Sequence, residues 1–296
     1  MKKITVFTPT YNRAYILDKC YESLKLQTFK DFEWIIYDDG STDKTNEKVE
    51  TFIKDGLLDI KYYHQENKGK HVAINRGVNL AQGELFFIVD SDDYLTQDSL
   101  ELVNKAWDSI EEDKKHEFIG VSGKRRLINR ENHSFNFDTQ YYDQDSITFN
   151  LIENNMQDKA EVYVTEKLKK YKFPEYENEK FITEAVVWYK MAQDKYKIRW
   201  FDKEIYVCEY LEDGLSANFY KQRINSINGT CKSYDLLSSY DLPNKYKIRY
   251  KINYFRYGLN KYKIKELTNK LSNKKYKNIS IVLGFLMYKR DRKLFR

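Results

Sequence analysis

Leu85-Phe86-Phe87-Ile88-Val89 runs directly into Asp90-Ser91-Asp92-Asp93, and the junction of these two segments decides how the rest of the chain is read. Five consecutive apolar residues leave no polar face, so a strand made from them is covered on both sides, as in the middle of a parallel sheet flanked by helices. Three aspartates within four positions at the end of such a strand repel one another unless protons or a cation sit between them. Hard oxygen donors of this kind suit Mg2+ or Mn2+, ions that complete their shells with substrate phosphates. The competing explanation is a strand end followed by a helix start, with Thr96 or Asp98 as the cap.

Upstream, the same order repeats. Apolar runs predict strands over residues 4–8, 32–37 and 60–64, while helical spacing predicts helices over 14–27, 42–53 and 71–81. Alternating strands and helices imply an α/β fold with a mostly parallel central sheet, and such a sheet binds ligands at the carboxyl ends of its strands. Polar clusters stand at those ends: Thr8 to Asn12 after the first strand, Asp38 to Asp43 after the second, and the aspartates after the fourth. One crevice would therefore gather all three. In the second cluster a carboxylate can accept from a base imide or a ribose hydroxyl, and Gly40 allows a tight turn beside it.

Downstream the pattern is less regular. Residues 117–121 predict a strand, 129–145 a polar surface excursion, 181–193 a helix, and 198–210 one or two strands. Past Pro243 the chain becomes rich in Lys and Arg interleaved with Tyr, Ile and Leu, and helices are expected. The division drawn from this change is 1–239 for the α/β domain and 240–296 for a basic helical C-terminal extension.

Charge supports that division. The chain carries a net +6, yet from Asp241 onward there are 17 Lys or Arg against 3 Asp or Glu, so the remainder is acidic overall. A partner argued from positive charge is a partner of the tail. Cys20, Cys208 and Cys231 are too widely spaced for a metal knuckle and too few for a disulfide framework. The start Met1-Lys2-Lys3 passes at once into a strand-like run without a signal-peptide pattern, which places the expected location in the cytoplasm. The ten-residue apolar stretch at 279–288 is about half the length of a membrane span.

Two familiar nucleotide-binding solutions are missing. The first strand leads to Thr8-Pro9-Thr10-Tyr11-Asn12-Arg13, not to a Gly-x-Gly-x-x-Gly turn, and no Gly-rich loop ends in Lys-Ser or Lys-Thr. A diphosphate here would have to be neutralised by a metal and cationic side chains.

Taken in order, Thr8 to Arg13, Asp38-Asp39-Gly40-Ser41-Thr42-Asp43, Asn67-Lys68-Gly69 with Ala73 to Gly77, and Gly83-Glu84 leading to Asp90-Ser91-Asp92-Asp93 resemble family 2 glycosyltransferases of the GT-A fold. That group builds bacterial polysaccharides and cell-surface glycans. The resemblance implies a metal-dependent inverting transfer of a sugar from a nucleotide-sugar donor, a UDP-sugar by family preference, to a hydroxyl of a glycan acceptor carried on a polyprenyl lipid. It implies that Thr8, Pro9, Asn12, Asp39, Arg76, Asp90 and Ser91 line the donor site, and that Mn2+ or Mg2+ sits on Asp92 with Asp93 as a possible extra ligand. For Arg76 a surface salt bridge is the alternative. By the same resemblance the catalytic base is Glu184, with Glu179 as second choice. Leu211 occupies the position where relatives often place a metal-binding histidine, which leaves Asp213 or water to complete the shell.

For the tail, an anionic membrane surface is the expected partner, with a basic solvated appendage or a homo-oligomer contact as alternatives. No nucleic acid partner is expected; the expected placement is peripheral, on the inner face of the cell membrane. The rival functions are a nucleotidyltransferase, or a non-catalytic nucleic-acid-binding or scaffold protein. Pyrophosphate release from a nucleoside triphosphate would separate the first of these from a transferase of sugars.

Overall fold

Strands β1 (Ile4–Thr10) and β2 (Phe32–Asp38) are buried at every position, as strands with helices on both faces must be. β1 pairs parallel with β2 and with β4 (Leu85–Ile88), and β2 pairs parallel with β3 (Ile60–His64). The computed structural model describes residues 2–128, 135–209 and 219–294. Within it the chain divides into two compact units, Met1–Lys172 with Lys195–Glu212, and Phe173–Asp194 with Asp213–Arg296.

The first unit holds a nine-stranded mixed, mostly parallel sheet. Its order is β3-β2-β1-β4-β8-β6-β9-β5, with β5 (Tyr94–Leu95), β6 (Phe118–Leu127), β8 (Lys159–Val164) and β9 (Lys197–Cys208), while β7 (Tyr141–Gln144) pairs with β9. β5, β7 and β8 run against the rest.

Side-chain alternation divides the sheet's two faces. Ile4 and Val6 of β1 and Trp34 and Ile36 of β2 pack with α1 (Leu17–Lys25), α2 (Thr45–Asp55) and α4 (Ser99–Asp108) in one continuous core. On the other face Phe7 stacks on Phe86 at 5.1 Å and meets α3 (Lys70–Leu80). Gly77 is what permits that approach, because a Cβ there would stand 2.0 Å from the Phe7 ring. The sheet thus has helices on both faces, and the ends of β1, β2 and β4 lie next to one another.

Three expectations shift. The polar stretch 129–145 contains β7, whose Tyr141 and Tyr142 pair with Phe201 and Trp200; residues 129–134 lie outside the described residues. The helix expected over 181–193 begins later, as α6 (Ala185–Gln193), with Glu184 at its N-cap position. Asp98 stands at the N-cap of α4 but makes no side-chain cap hydrogen bond.

The second unit is helical: α6, α7 (Phe219–Asn225), α8 (Ile227–Ser239), α9 (Asn244–Gly258), α10 (Ile264–Lys270) and α11 (Lys277–Leu294). The short α5 (Thr165–Leu168) belongs to the first unit. Ile227, Cys231 and Tyr234 of α8 form a core with Tyr254, Phe255 and Tyr257 of α9 and Leu267 of α10. This core spans residue 239, so α8 shares its packing with the helices that follow it. Among the described residues no helix is long and apolar enough to cross a membrane.

Candidate active site

Three loops leave the neighbouring ends of β1, β2 and β4, and their own hydrogen bonds tie them together. Asn12 takes a left-handed backbone, with φ 54°, a conformation asparagine tolerates better than most residues. Its amide donates to Ser41 Oγ at 2.8 Å, and its Oδ1 accepts from the Thr42 amide at 2.7 Å. Asp43 accepts from the Ala14 amide at 3.1 Å, completing a two-way clasp between the first and second loops.

Asp39 joins the second loop to α3. Its backbone N–H donates to Thr10 O at 2.8 Å. Its Oδ1 accepts from Gln65 Nε2 at 2.6 Å and the Lys68 amide at 2.8 Å, and its Oδ2 accepts from the Gly69 amide at 2.7 Å. Oδ2 therefore keeps acceptor capacity for a further donor. Asp38 is committed elsewhere, accepting from the Ser41 amide and from the Tyr62 hydroxyl. Gly40, at φ 86°, fits between these loops because a Cβ would lie 2.7 Å from Asn67 N.

The acidic loop is ringed by cations. Lys70 Nζ donates to Asp90 Oδ1 at 2.7 Å, and Arg13 lies 3.7 Å from Asp92 Oδ2. The Asp90 amide donates to the Tyr206 hydroxyl at 2.8 Å, and the Arg125 guanidinium sits 4.2 Å from the Tyr206 ring centre. Burial opposes ionisation of Asp90, but Lys70, Arg125 and Arg13 outweigh it and hold its carboxyl below the usual range. Asp92 goes the other way, raised by burial and then by Asp90. Asp93 is pushed up to about 7 by burial and by Asp90, against the pull of Arg125 and a hydrogen bond with Tyr206. Two of three carboxyls resist giving up their protons, so the loop is short of positive charge although basic residues surround it.

A hard divalent cation fits that deficit. Among the described residues no group of three or more metal-ligating side chains is already assembled. Carboxylate oxygens of Asp90 and Asp92 would therefore share the ion with donor phosphate and water, a mixed shell that Mg2+ and Mn2+ accept.

The loops bring Asn12, Asp39, Asp90, Ser91, Asp92 and Asp93 to the same end of the sheet, but not all in the expected capacity. Thr8 faces the core: its Oγ1 accepts from Trp34 Nε1 at 2.9 Å and lies 3.9 Å from Cys20 Sγ. Alternation along β1 puts Thr8 on the same face as Ile4 and Val6, so it supports the site from beneath. Pro9 is likewise buried within β1. Arg76 is exposed on α3, close enough to Tyr37 to act on its hydroxyl electrostatically. Ser91 is buried in the acidic loop.

Two residues that the sequence reading does not single out for the site join this end of the sheet, one of them inside the first motif. Tyr206 reaches the acidic loop from β9, and Thr10 brings a buried hydroxyl with no protein partner to the end of β1.

Glu184 and Glu179 belong to the second unit. Glu179 is largely buried and accepts from the amides of Asn228 at 2.9 Å and Gly229 at 2.6 Å, so its carboxylate closes the N-terminus of α8. That structural duty counts against it as a base. Glu184 stands at the start of α6 and is partly exposed. Leu211 and Asp213 lie outside the described residues.

Comparison with known proteins agrees with this geometry. The family model "Glycosyl transferase family 2" matches residues 5–178. Glycosyltransferase GlyA of Streptococcus pneumoniae is 41% identical over 105 residues, which are 35% of this chain and 15% of GlyA. The GalNAc(5)-diNAcBac-PP-undecaprenol beta-1,3-glucosyltransferase of Campylobacter jejuni is 38% identical over 109 residues, 36% of this chain and 35% of that enzyme. These curated relatives are matched over about a third of their length or less. Among solved structures, S. aureus TarS 1-349 in complex with UDP-GlcNAc superposes with a TM-score of 0.63 at 20% identity, covering 95% of this chain and 79% of TarS 1-349. A mannosyltransferase from Pyrobaculum calidifontis, in complex with GDP-Man and Mn2+, gives 0.58 at 15% identity over 98% of this chain and 87% of its own. With its α/β fold, its clasped loops and a family match over more than half its length, the chain belongs to glycosyl transferase family 2.

Proposed function

We propose that the protein is an inverting, metal-dependent glycosyltransferase that moves a sugar from a UDP-sugar donor to a hydroxyl of a lipid-linked glycan at the cytoplasmic face of a membrane. The observation that carries this reading is the acidic loop, where half-buried Asp92 and buried Asp93 lack the positive charge that a cation with a diphosphate would supply. The Campylobacter relative, named for a polyprenyl-linked acceptor, supports the acceptor class. TarS with UDP-GlcNAc supports the donor class.

In this reading the clasp formed by Asn12, Ser41 and Thr42 holds the first two loops around the nucleoside. The free acceptor capacity of Asp39 Oδ2 receives a donor group from the base or ribose. Asp90 and Asp92 would hold Mn2+ or Mg2+, with Asp93 beside them and Asp213 as a weaker candidate. When bound there, the ion would supply positive charge to offset that developing on the departing diphosphate. Lys70 and Arg13 add positive charge beside the same carboxylates, and Arg76 is a candidate contact to the donor.

Glu184 accepts the proton of the acceptor hydroxyl as that oxygen forms its bond to the anomeric carbon. The bond to the diphosphate breaks on the opposite face, so configuration inverts and no enzyme nucleophile takes part. The basic extension from residue 240 onward serves the membrane end of this task.

The test is a panel of nucleotide sugars offered to purified protein with and without Mn2+. Metal-dependent release of a nucleoside diphosphate from one donor, lost in Asp92→Ala, supports the reading. Silence with every donor, even when polyprenyl-linked acceptors are supplied, sinks it.

A further inference from the structure

Helix α11 is amphipathic in the opposite sense to a helix that packs on a core and faces water. The residues it buries are Ser280, Gly284 and Asp291. At Gly284 a Cβ would stand 2.7 Å from Phe255 Cβ and 2.8 Å from Ile252 O, so the glycine lets α11 lie close against α9. Asp291 is fully buried and accepts from Arg256 Nε at 2.5 Å and from Arg290 at 3.2 Å. A small residue and a buried ion pair, seven positions apart on one stripe, thus fix which face of α11 turns inward.

The outward face carries Ile279, Val282 and Leu286, exposed by 52%, 59% and 58%, with Leu283 and Phe285 beside them. Positions 279, 282 and 286 follow helical spacing and form one stripe. In water alone, these residue types would exchange places with Ser280, Gly284 and Asp291. A contiguous apolar face of this kind marks a contact site.

Charge selects the occupant. Lys274, Lys275 and Lys277 precede the stripe, and Lys289, Arg290, Arg292 and Lys293 follow it, while the one acidic residue of the helix is buried beneath Arg256. A second copy of this chain would bring basic ends against basic ends. An anionic bilayer satisfies both features, with apolar side chains at the acyl boundary and cations among the headgroups.

We propose that this face of α11 is a lipid-docking surface: the helix lies in the plane of an anionic bilayer, with Ile279, Val282 and Leu286 inserted. This deepens the membrane placement proposed above and rests on it for its biological setting. The test needs neither donor nor acceptor, so the surface can fail while the transferase reading stands.

The full chain would be floated with vesicles of phosphatidylcholine, with and without phosphatidylglycerol, beside Val282→Glu/Leu286→Glu and Lys289→Glu/Lys293→Glu variants. Both pairs are exposed, so an unchanged melting temperature serves as the folding control. The expected result is binding to the anionic vesicles that weakens with added salt and falls at least about tenfold in each variant. Absence of vesicle binding by folded wild-type protein would overturn the proposal, as would binding that Val282→Glu/Leu286→Glu leaves unchanged. A concentration-dependent dimer that this variant abolishes, without any vesicle binding, would assign the face to a second copy instead.

Discussion

The Tyr206 hydroxyl accepts the backbone N–H of Asp90 at 2.8 Å, so a strand 116 positions further along the chain fixes the start of the acidic loop. The Tyr206 side chain is buried while Asp90 is half-buried, and the Arg125 guanidinium lies against the same ring at 4.2 Å. β9 thereby holds the backbone of the loop whose carboxylates Lys70 and Arg13 contact.

Tyr206→Phe keeps the ring and its packing but leaves the Asp90 amide without its acceptor. Loss of one buried partner costs about 1–3 kcal/mol, which thermal melting would read as a lower midpoint. With the loop less fixed, the Mn2+ concentration needed for half-maximal donor turnover should rise. An unchanged Mn2+ requirement would mean that Tyr206 supports the fold without positioning the loop.

That contact also marks where sequence reading ends. The βαβ order and the ends of β1, β2 and β4 are legible because each strand is a local apolar run closed by polar residues. The Asp39 and Asp90 loops are legible because the motifs are short and contiguous. Tyr206 has no local signature, since it looks like any aromatic in an apolar strand. β7 escapes for a related reason: Tyr141-Tyr142-Asp143-Gln144 sits in polar surroundings and becomes a strand through pairing with β9. Thr8 shows the opposite error. It belongs to a recognisable motif, yet strand alternation turns its hydroxyl toward Trp34.

The Asp93 carboxyl, ordinarily near 3.8, is raised to about 7 by burial and by the adjacent carboxylates. The folded protein therefore holds this proton more tightly than the unfolded chain does. The stabilisation is full below the unfolded value and is lost as pH rises toward the folded value. Metal-free Asp93→Asn should melt close to the wild type near about pH 4 and above it near about pH 8. Mn2+ should narrow the gap at the higher pH by raising the wild-type melting temperature. Parallel melting curves at all pH values would contradict this.

Gly40→Ala places a methyl group at a backbone angle of φ 86° and 2.7 Å from Asn67 N. The strain alone costs about 1–3 kcal/mol, which urea unfolding would report. Because the same displacement parts the second loop from the strap at Asn67 to Gly69, donor KM should rise as well. Gly56→Ala is the comparison, since a Cβ there meets nothing within 4 Å although φ is 67°. It should lose stability and keep its donor KM.

Glu184 and Glu179 separate by readout. Glu184→Gln should lower kcat by about 10²-fold or more with donor KM nearly unchanged, the pattern of a lost general base. Glu179→Gln puts an amide against the Asn228 and Gly229 N–H groups, so its effect should fall on melting temperature. If Glu179→Gln removes turnover without loss of stability, the two roles are reversed.

The central claim is that the loops closing β1, β2 and β4 form a metal-dependent site for a nucleoside diphosphate, and calorimetric titration of UDP tests it most directly. The account predicts binding to the wild type in the presence of Mn2+, strong weakening by a chelator, and comparable weakening in Asp92→Ala with Mn2+ present. UDP binding of equal strength with and without Mn2+, unaffected by Asp92→Ala, would contradict it.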